Sequence, residues 1–235
     1  MHLVLKNVKK NFSEKEVLKG INFSFEKGKI YGLLGRNGAG KTTLFNCISE
    51  DIKADNGKIT VEENGRERDI SSADIGYVLS TPVVPEFLTA GEFLKFFLDI
   101  NKPEKSNRQA MDEYFDLMKI APEDRNKLMK DYSHGMKNKM QMLVNFIADP
   151  AILLLDEPLT SFDVVVADEM KQLLKSLKEE HIIIFSTHIL ELALDLCDEI
   201  VILNDGVLEG IEKEHLDNAE LKEKIIAALR GDGDA

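Results

Sequence analysis

Residues 35–42 read Gly-Arg-Asn-Gly-Ala-Gly-Lys-Thr, the spacing G-x-x-x-x-G-K-S/T of a phosphate-binding loop. No other stretch constrains the fold as tightly, because such a loop works between a strand that enters it and a helix that leaves it. The flanks supply both. Lys29–Leu34 reads as an apolar strand, and Thr43–Ser49 continues as a helix whose N-terminal dipole would face an anion. Gly35, Gly38 and Gly40 free the backbone to turn its N–H groups inward around the α- and β-phosphates. The intervening Arg36, Asn37 and Ala39, with Thr43 just beyond, belong to the same cradle. Lys41 is placed to reach the β- and γ-phosphates, and the Thr42 hydroxyl to ligate Mg²⁺. The expected ligand is a nucleoside triphosphate with Mg²⁺.

A second, independent signal lies downstream. Ala151-Ile-Leu-Leu-Leu-Asp156-Glu157-Pro158 is an unbroken apolar run that ends in two acids. It suits a strand buried on both faces, as in a parallel sheet. Acids at the C-terminal end of such a strand fall where open α/β sheets bind ligands. Asp156 can hold Mg²⁺ there, and Glu157 can orient a water for in-line attack on the γ-phosphate. Taken alone the pair could equally cap a helix. The loop at 35–42 decides for the catalytic reading.

The 235 residues allow one large domain or a core with a smaller insertion. At 43% apolar and 31% charged, the composition is that of an ordinary globular protein. Thirty Lys and Arg stand against 42 Asp and Glu, a net charge of −12, which disfavours nucleic acid as a main partner. The two cysteines, Cys47 and Cys197, are too few for a disulfide framework and suit a reducing compartment. Cys47, among Leu44, Phe45 and Ile48, is expected to be a small buried apolar residue. The first residues alternate like a strand and lack the layout of a signal peptide. No apolar run approaches the roughly 20 residues that span a bilayer, so a membrane role is expected to come through a partner chain.

Along the chain, residues 2–8 and 17–25 alternate as half-buried antiparallel strands do, and Lys58–Glu62 and Ile75–Leu79 read as further strands. Pro82 and Pro85 enforce an extended connector. The character then turns helical. Thr89-Ala-Gly-Glu92 is a capping box, and helical spacing recurs over Asn107–Ile120 and Met136–Ala148. Alternation resumes as strand 152–155, helix 164–179, strand 182–186, helix 189–196 and strand 199–203. Asn204-Asp205-Gly206 is a hairpin turn into a short strand at 207–211, and Glu212–Leu229 reads as a charged terminal helix before a frayed end. The outcome is an α/β fold. Residues 1–86 and 149–211 form a nucleotide-binding core, 87–148 a helical insertion, and 212–235 a C-terminal helix and tail.

Between the two nucleotide signals stands Asp131-Tyr132-Ser133-His134-Gly135-Met136-Lys137. Physically, a Ser-x-Gly turn that opens a helix offers a hydroxyl and free backbone donors to an anion, or simply caps the helix. The segment resembles the signature motif L-S-G-G-Q of ABC transporter ATPases. Ser133 and Gly135 match, Tyr132, His134 and Met136 depart, and the Y-S-x-G-M-K spelling is similar to that of exporter ATPases in the family. Other positions fit the same frame. Leu159-Thr160-Ser161-Phe162-Asp163 looks like the D-loop, with Asp163 as its acid. His188, in Phe185-Ser186-Thr187-His188, resembles the switch histidine that contacts the γ-phosphate, and Phe12 the aromatic that stacks on adenine. The resemblance covers residues 3 to 211 and implies a P-loop NTPase of ABC type. Such a fold has a mostly parallel sheet core, an antiparallel β subdomain and an inserted helical subdomain.

The resemblance also implies a mechanism and partners. ATP with Mg²⁺ would be hydrolysed between two such chains paired head to tail, Ser133 and Gly135 of one closing over the phosphates held by Lys41 of the other. Glu157, His188 and Lys41 are then the catalytic residues, with Thr42 and Asp156 on the metal. The family places a glutamine after the strand at 75–79, a metal ligand that also senses the membrane subunit. Here Ser80 stands in its place, a shorter candidate for the metal. The implied setting is the cytoplasmic face of a membrane, bound to a separately encoded transmembrane subunit, with a peptide or drug as the implied cargo. The apolar Phe93-Leu94-Lys95-Phe96-Phe97-Leu98, with Phe87 before it, offers a socket for that subunit. The alternative is a permease-free ABC ATPase of an assembly complex such as iron–sulfur cluster biogenesis, which the absence of the usual glutamine favours.

Overall fold

The computed structural model describes residues 1–101, 108–160 and 162–212, arranged as two sheets with helices between and around them. A four-stranded antiparallel sheet has the order β2–β1–β4–β5, built from His2–Phe12 (β1), Lys15–Glu26 (β2), Asn56–Glu63 (β4) and Arg66–Asp69 (β5). A six-stranded sheet has the order β10–β9–β3–β8–β7–β6. Its strands are Ile30–Leu34 (β3), Ile75–Val78 (β6), Ile152–Asp156 (β7), Ile182–Thr187 (β8), Glu199–Asn204 (β9) and Val207–Glu212 (β10). All of its pairings are parallel except that of β10 with β9. The fold is α/β, as expected.

The central strands carry no polar alternation because both of their faces are covered. Every residue of β3, β7 and β8 is buried. Successive side chains serve two different cores. Leu153 and Leu155 of β7, with Ile183 and Phe185 of β8, face the core shared with helices α4 (His134–Ala148), α5 (Val164–Leu177) and α6 (Leu190–Leu196). Ile152, Leu154, Ile182 and Ile184 face the opposite core. There α1 (Lys41–Ile48) is held against the antiparallel sheet by Leu44, Phe45, Cys47 and Ile48. Each such side chain contributes about 1.5–3 kcal/mol by burial, so the strand ends that carry the polar site are rigidly supported. Cys47 is buried as expected, and burial pushes its thiol up to about 11.

Helices α2 (Ala90–Asn101), α3 (Arg108–Leu117) and α4 occupy the chain between β6 and β7. The capping box exists: the Thr89 N–H and hydroxyl donate to Glu92 Oε2 at 2.9 and 3.0 Å, and the Glu92 N–H donates to Thr89 Oγ1 at 3.1 Å. Several boundaries differ from expectation. β1 and β2 extend to Phe12 and from Lys15, which makes a continuous hairpin, and β6 ends at Val78. Helix α1 begins at Lys41 and α4 at His134, each a turn-fraction earlier than the apolar spacing indicated. Helix α3 stops at Leu117 in place of Ile120 because Lys119 turns left-handed at φ 51°. Ile120 N–H then donates to Phe115 O and Lys119 N–H to Asp116 O, a Schellman termination. Helix α5 gives way after Leu177 to a 3₁₀ turn, Lys178–Glu180. Glu212 does not open a helix; it ends β10, paired with Glu199. The rest of the expected terminal helix lies outside the described residues. Among the described residues, no helix is long and apolar enough to cross a membrane.

Candidate active site

Parallel register brings the functional segments to one edge. Leu34 pairs with Thr187 and Asp156 with Ser186, so β3, β7 and β8 end side by side. The phosphate loop, the acid pair and His188 emerge there. Between this edge and the first hairpin lies a cleft of about 630 Å³. Asn37, Gly38, Gly40, Lys41, Thr42 and Thr43 form its floor, Asp156, Glu157 and Ser80 one wall, and Phe12, Lys15 and Val17 the other.

The loop takes this path because two of its glycines adopt left-handed conformations, Gly38 at φ 78° and Gly40 at φ 107°. Gly40 caps α1, its carbonyl accepting the Leu44 N–H at 2.8 Å. A Cβ there would come within 2.8 Å of Val17 Cγ1, so only glycine allows the loop to nest against β2. Gly35 is buried behind the loop and does not line the cleft; Arg36 and Ala39 line a smaller neighbouring pocket. These three residues shape the cradle from behind.

Lys41 is almost fully buried and its Nζ donates to the carbonyls of Gly35 at 2.6 Å and Arg36 at 3.3 Å. Burial lowers its pKa from the usual lysine value, while Glu157 and Asp156 nearby oppose that shift. Anionic phosphate at the loop would act in the same sense as the two acids and favour the charged amine.

The acids are held by a compact set of bonds. Thr42 Oγ1 donates to Asp156 Oδ2 at 2.9 Å, and Ser186 Oγ donates to Asp156 Oδ1 at 2.5 Å. Glu157 N–H donates to the same Ser186 Oγ at 3.1 Å. Glu157 itself sits at φ 50°, a left-handed conformation that costs a residue with a Cβ about 1–2 kcal/mol. His188 Nδ1 lies 3.1 Å from Glu157 Oε1, so the exposed histidine, which does not itself line the cleft, pairs with an acid that does. Asp156, Thr42 and Ser80 present hard oxygen donors. Among the described residues no group of three or more His, Cys, Asp or Glu could hold a metal. This donor set fits Mg²⁺, which takes one or two carboxylates and completes its shell with phosphate and water oxygens.

Phe12 is 48% exposed on the cleft wall, with Lys10 Nζ 5.5 Å from its ring centroid. Ser133, Gly135 and Asp163 do not line the cleft. Ser133 is the N-cap of α4, accepting the Met136 N–H at 3.2 Å, and is exposed. Asp163 is the N-cap of α5, accepting the N–H groups of Val165 and Val166 at 3.0 Å. Sequence reasoning overlooked Lys15, Val17 and Ser186. Only Ser186 had a signal, as one of two polar residues that close an apolar buried strand just before His188.

A family model described as ABC transporter matches residues 18–160. The chain belongs to the ABC transporter family. Among curated relatives of this ABC ATPase domain, an ABC transporter ATP-binding protein of Methanocaldococcus jannaschii is 34% identical over 94% of the chain and 86% of its own length. The sulfate/thiosulfate import ATP-binding protein CysA of Synechocystis is 31% identical over 90% of the chain and 60% of its own length. An ABC transporter ATP-binding protein of Nostoc is 35% identical over 81% of the chain and 58% of its length, so this ABC domain spans little more than half of some relatives. Among solved structures, an ATP-binding subunit of an ABC transporter superposes with a TM-score of 0.80 at 23% identity, covering 96% of this chain and all of that one. CbiO1 of Clostridium perfringens, described as part of the transporter complex CbiONQ, superposes at 0.75 with 25% identity over 96% and 94% of the two chains. The core is thus an ABC ATPase cassette.

Proposed function

We propose that this ABC ATPase powers a transporter by hydrolysing ATP at a composite site formed by two copies of the chain. The observation that carries this reading is the convergence of Lys41, Thr42, Asp156 and Glu157 on one cleft, with His188 against Glu157. ATP binds with its adenine against Phe12 and its phosphates along residues 36–43. Lys41 neutralises the β- and γ-phosphates, and Glu157 orients the attacking water, its carboxylate steadied by His188. Thr42 and Asp156, with Ser80 beside them, would hold Mg²⁺, which when bound supplies charge neutralisation at the β- and γ-oxygens. Ser133 and Gly135 sit outside the chain's own cleft, and this supports their service to a second copy, head to tail. Asp163 would belong to the same interface.

The chain works in this reading at the cytoplasmic face of a membrane, against a separate transmembrane subunit. Exposed apolar residues support a docking face on the segment 87–148: Phe87 is 79% and Phe96 58% exposed, with Ile100 one turn beyond. The proposed division is an ATP-binding core of 1–86 and 149–211, this helical insertion, and an appendage from 212. Export is the direction supported by the Tyr132–Lys137 spelling, with peptides or drugs as cargo; the likeness to CysA, named for import, argues for the other direction. Transport by the reconstituted pair in oriented vesicles decides between them.

The hydrolytic core of the proposal is tested by Glu157→Gln. The variant is expected to bind ATP as the parent does, to accumulate as an ATP-bound dimer on size exclusion, and to lose more than about 99% of turnover. Substantial residual hydrolysis would remove Glu157 from the catalytic role.

A further inference from the structure

Ser186 stands fully buried at the next-to-last position of β8, opposite Asp156 in the parallel register. A hydroxyl has one proton to give and two lone pairs to offer. Here the proton goes to Asp156 Oδ1 over 2.5 Å, the short distance of a charge-assisted bond. A lone pair takes the Glu157 N–H at 3.1 Å. One oxygen atom therefore bonds to both acids, to the side chain of the first and the main chain of the second. We propose that Ser186 is a positioning residue for hydrolysis, fixing the metal-binding carboxylate and the catalytic glutamate relative to one another. This rests on the roles given above to Asp156 and Glu157.

Two further observations point the same way. Glu157 is held in a left-handed conformation that a side chain disfavours, and both of its peptide groups are pinned. Ser186 takes its N–H, and the Thr160 hydroxyl donates to its carbonyl at 3.0 Å. The strained turn aims the glutamate toward His188 and the cleft, so release of the N–H would let that aim relax. Of the two donors on Asp156, Thr42 is itself a candidate cation ligand and lines the cleft. Ser186 lies below the cleft and serves orientation alone. Bonds that orient a metal-binding carboxylate typically affect metal affinity or activity by about 10- to 100-fold.

The experiment compares the full chain with Ser186→Ala and Ser186→Thr. Mn²⁺ binding in the presence of ADP is measured by electron paramagnetic resonance, alongside kcat and KM for ATP, metal-free ATP binding and thermal stability. Ser186→Ala is expected to weaken Mn²⁺ binding and to lower kcat, each by about tenfold or more, with metal-free ATP binding unchanged. Ser186→Thr, which keeps the hydroxyl, is expected to recover both. Parental Mn²⁺ affinity and kcat in the alanine variant would overturn the proposal. So would equal impairment of the alanine and threonine variants with a matching loss of stability, which assigns Ser186 to packing. If Glu157→Gln retains turnover, the catalytic reading fails, while the Mn²⁺ measurement still judges the hold of Ser186 on Asp156.

Discussion

Ser80 shows what one side chain decides in this cleft. It lines the same wall as Asp156 and Glu157 and is exposed, so its hydroxyl faces the space where phosphate and cation would meet. A glutamine there would carry a carbonyl oxygen two bonds further into the cleft, a longer-reaching and more strongly donating ligand for Mg²⁺. Ser80→Gln is expected to lower the Mg²⁺ concentration for half-maximal ATPase activity several-fold, with metal-free ATP binding unaltered. Superimposable Mg²⁺ titrations would take Ser80 out of the metal site. At this scale the sequence was most readable where chemistry is local. Lys41 and Thr42 lie in one loop, and Asp156 and Glu157 end one strand, so their spacing announces them. Ser186 escaped because its role arises only when β7 and β8 pair and set it opposite Asp156. Lys15 and Val17 reach the cleft because the first hairpin folds over the loop, which nothing in their neighbourhood in the chain encodes.

Helix α4 carries Ser133 and Gly135 at its start, and its inward face is fastened to the catalytic core by amides. Asn138 Nδ2 donates to Pro158 O at 3.0 Å, in the loop directly after Glu157. One turn on, Gln141 Oε1 accepts the Val83 N–H at 3.0 Å, in the connector after Ser80. Residues three apart share a helix face, so the two bonds act from one side. Asn138 is buried, and Asn138→Ala would remove a buried bond and leave a void, which costs about 2 kcal/mol together. The corresponding shift is expected in the denaturant midpoint at unchanged m-value; a parental midpoint would mean that another donor takes up the Pro158 carbonyl. The apolar spacing revealed this helix; the polar contacts of its inward face, with the connector and with the loop after Glu157, arise only once the chain is folded. β5 was hidden for a related reason. Asn64-Gly65 carried a turn signal, realised with φ of 51° and 72°, but the strand beyond it, Arg-Glu-Arg-Asp, is exposed throughout and has no apolar face to betray it.

For the whole molecule the decisive fact is where the chain puts its phosphate loop and the Ser-x-Gly turn that opens α4. The phosphate loop and acid pair share one cleft, while Ser133 and Gly135 open α4 outside it. If two copies close head to tail, each site takes Lys41 from one chain and Ser133 from the other, and this has a consequence that a self-contained site lacks. A dimer of one Lys41→Ala chain and one Ser133→Arg chain concentrates both defects in one of its two sites and leaves the other intact. Each variant alone makes only dimers with both sites damaged and is expected to be nearly inactive. Random re-pairing of equal amounts makes half of the dimers mixed, so the mixture is expected to regain about a quarter of parental ATPase activity. The regain should follow the fraction of mixed dimers as the ratio of the two variants is changed. Activity no greater than the sum of the separate variants, with mixed dimers demonstrated by differential tags, would place the complete site within a single chain.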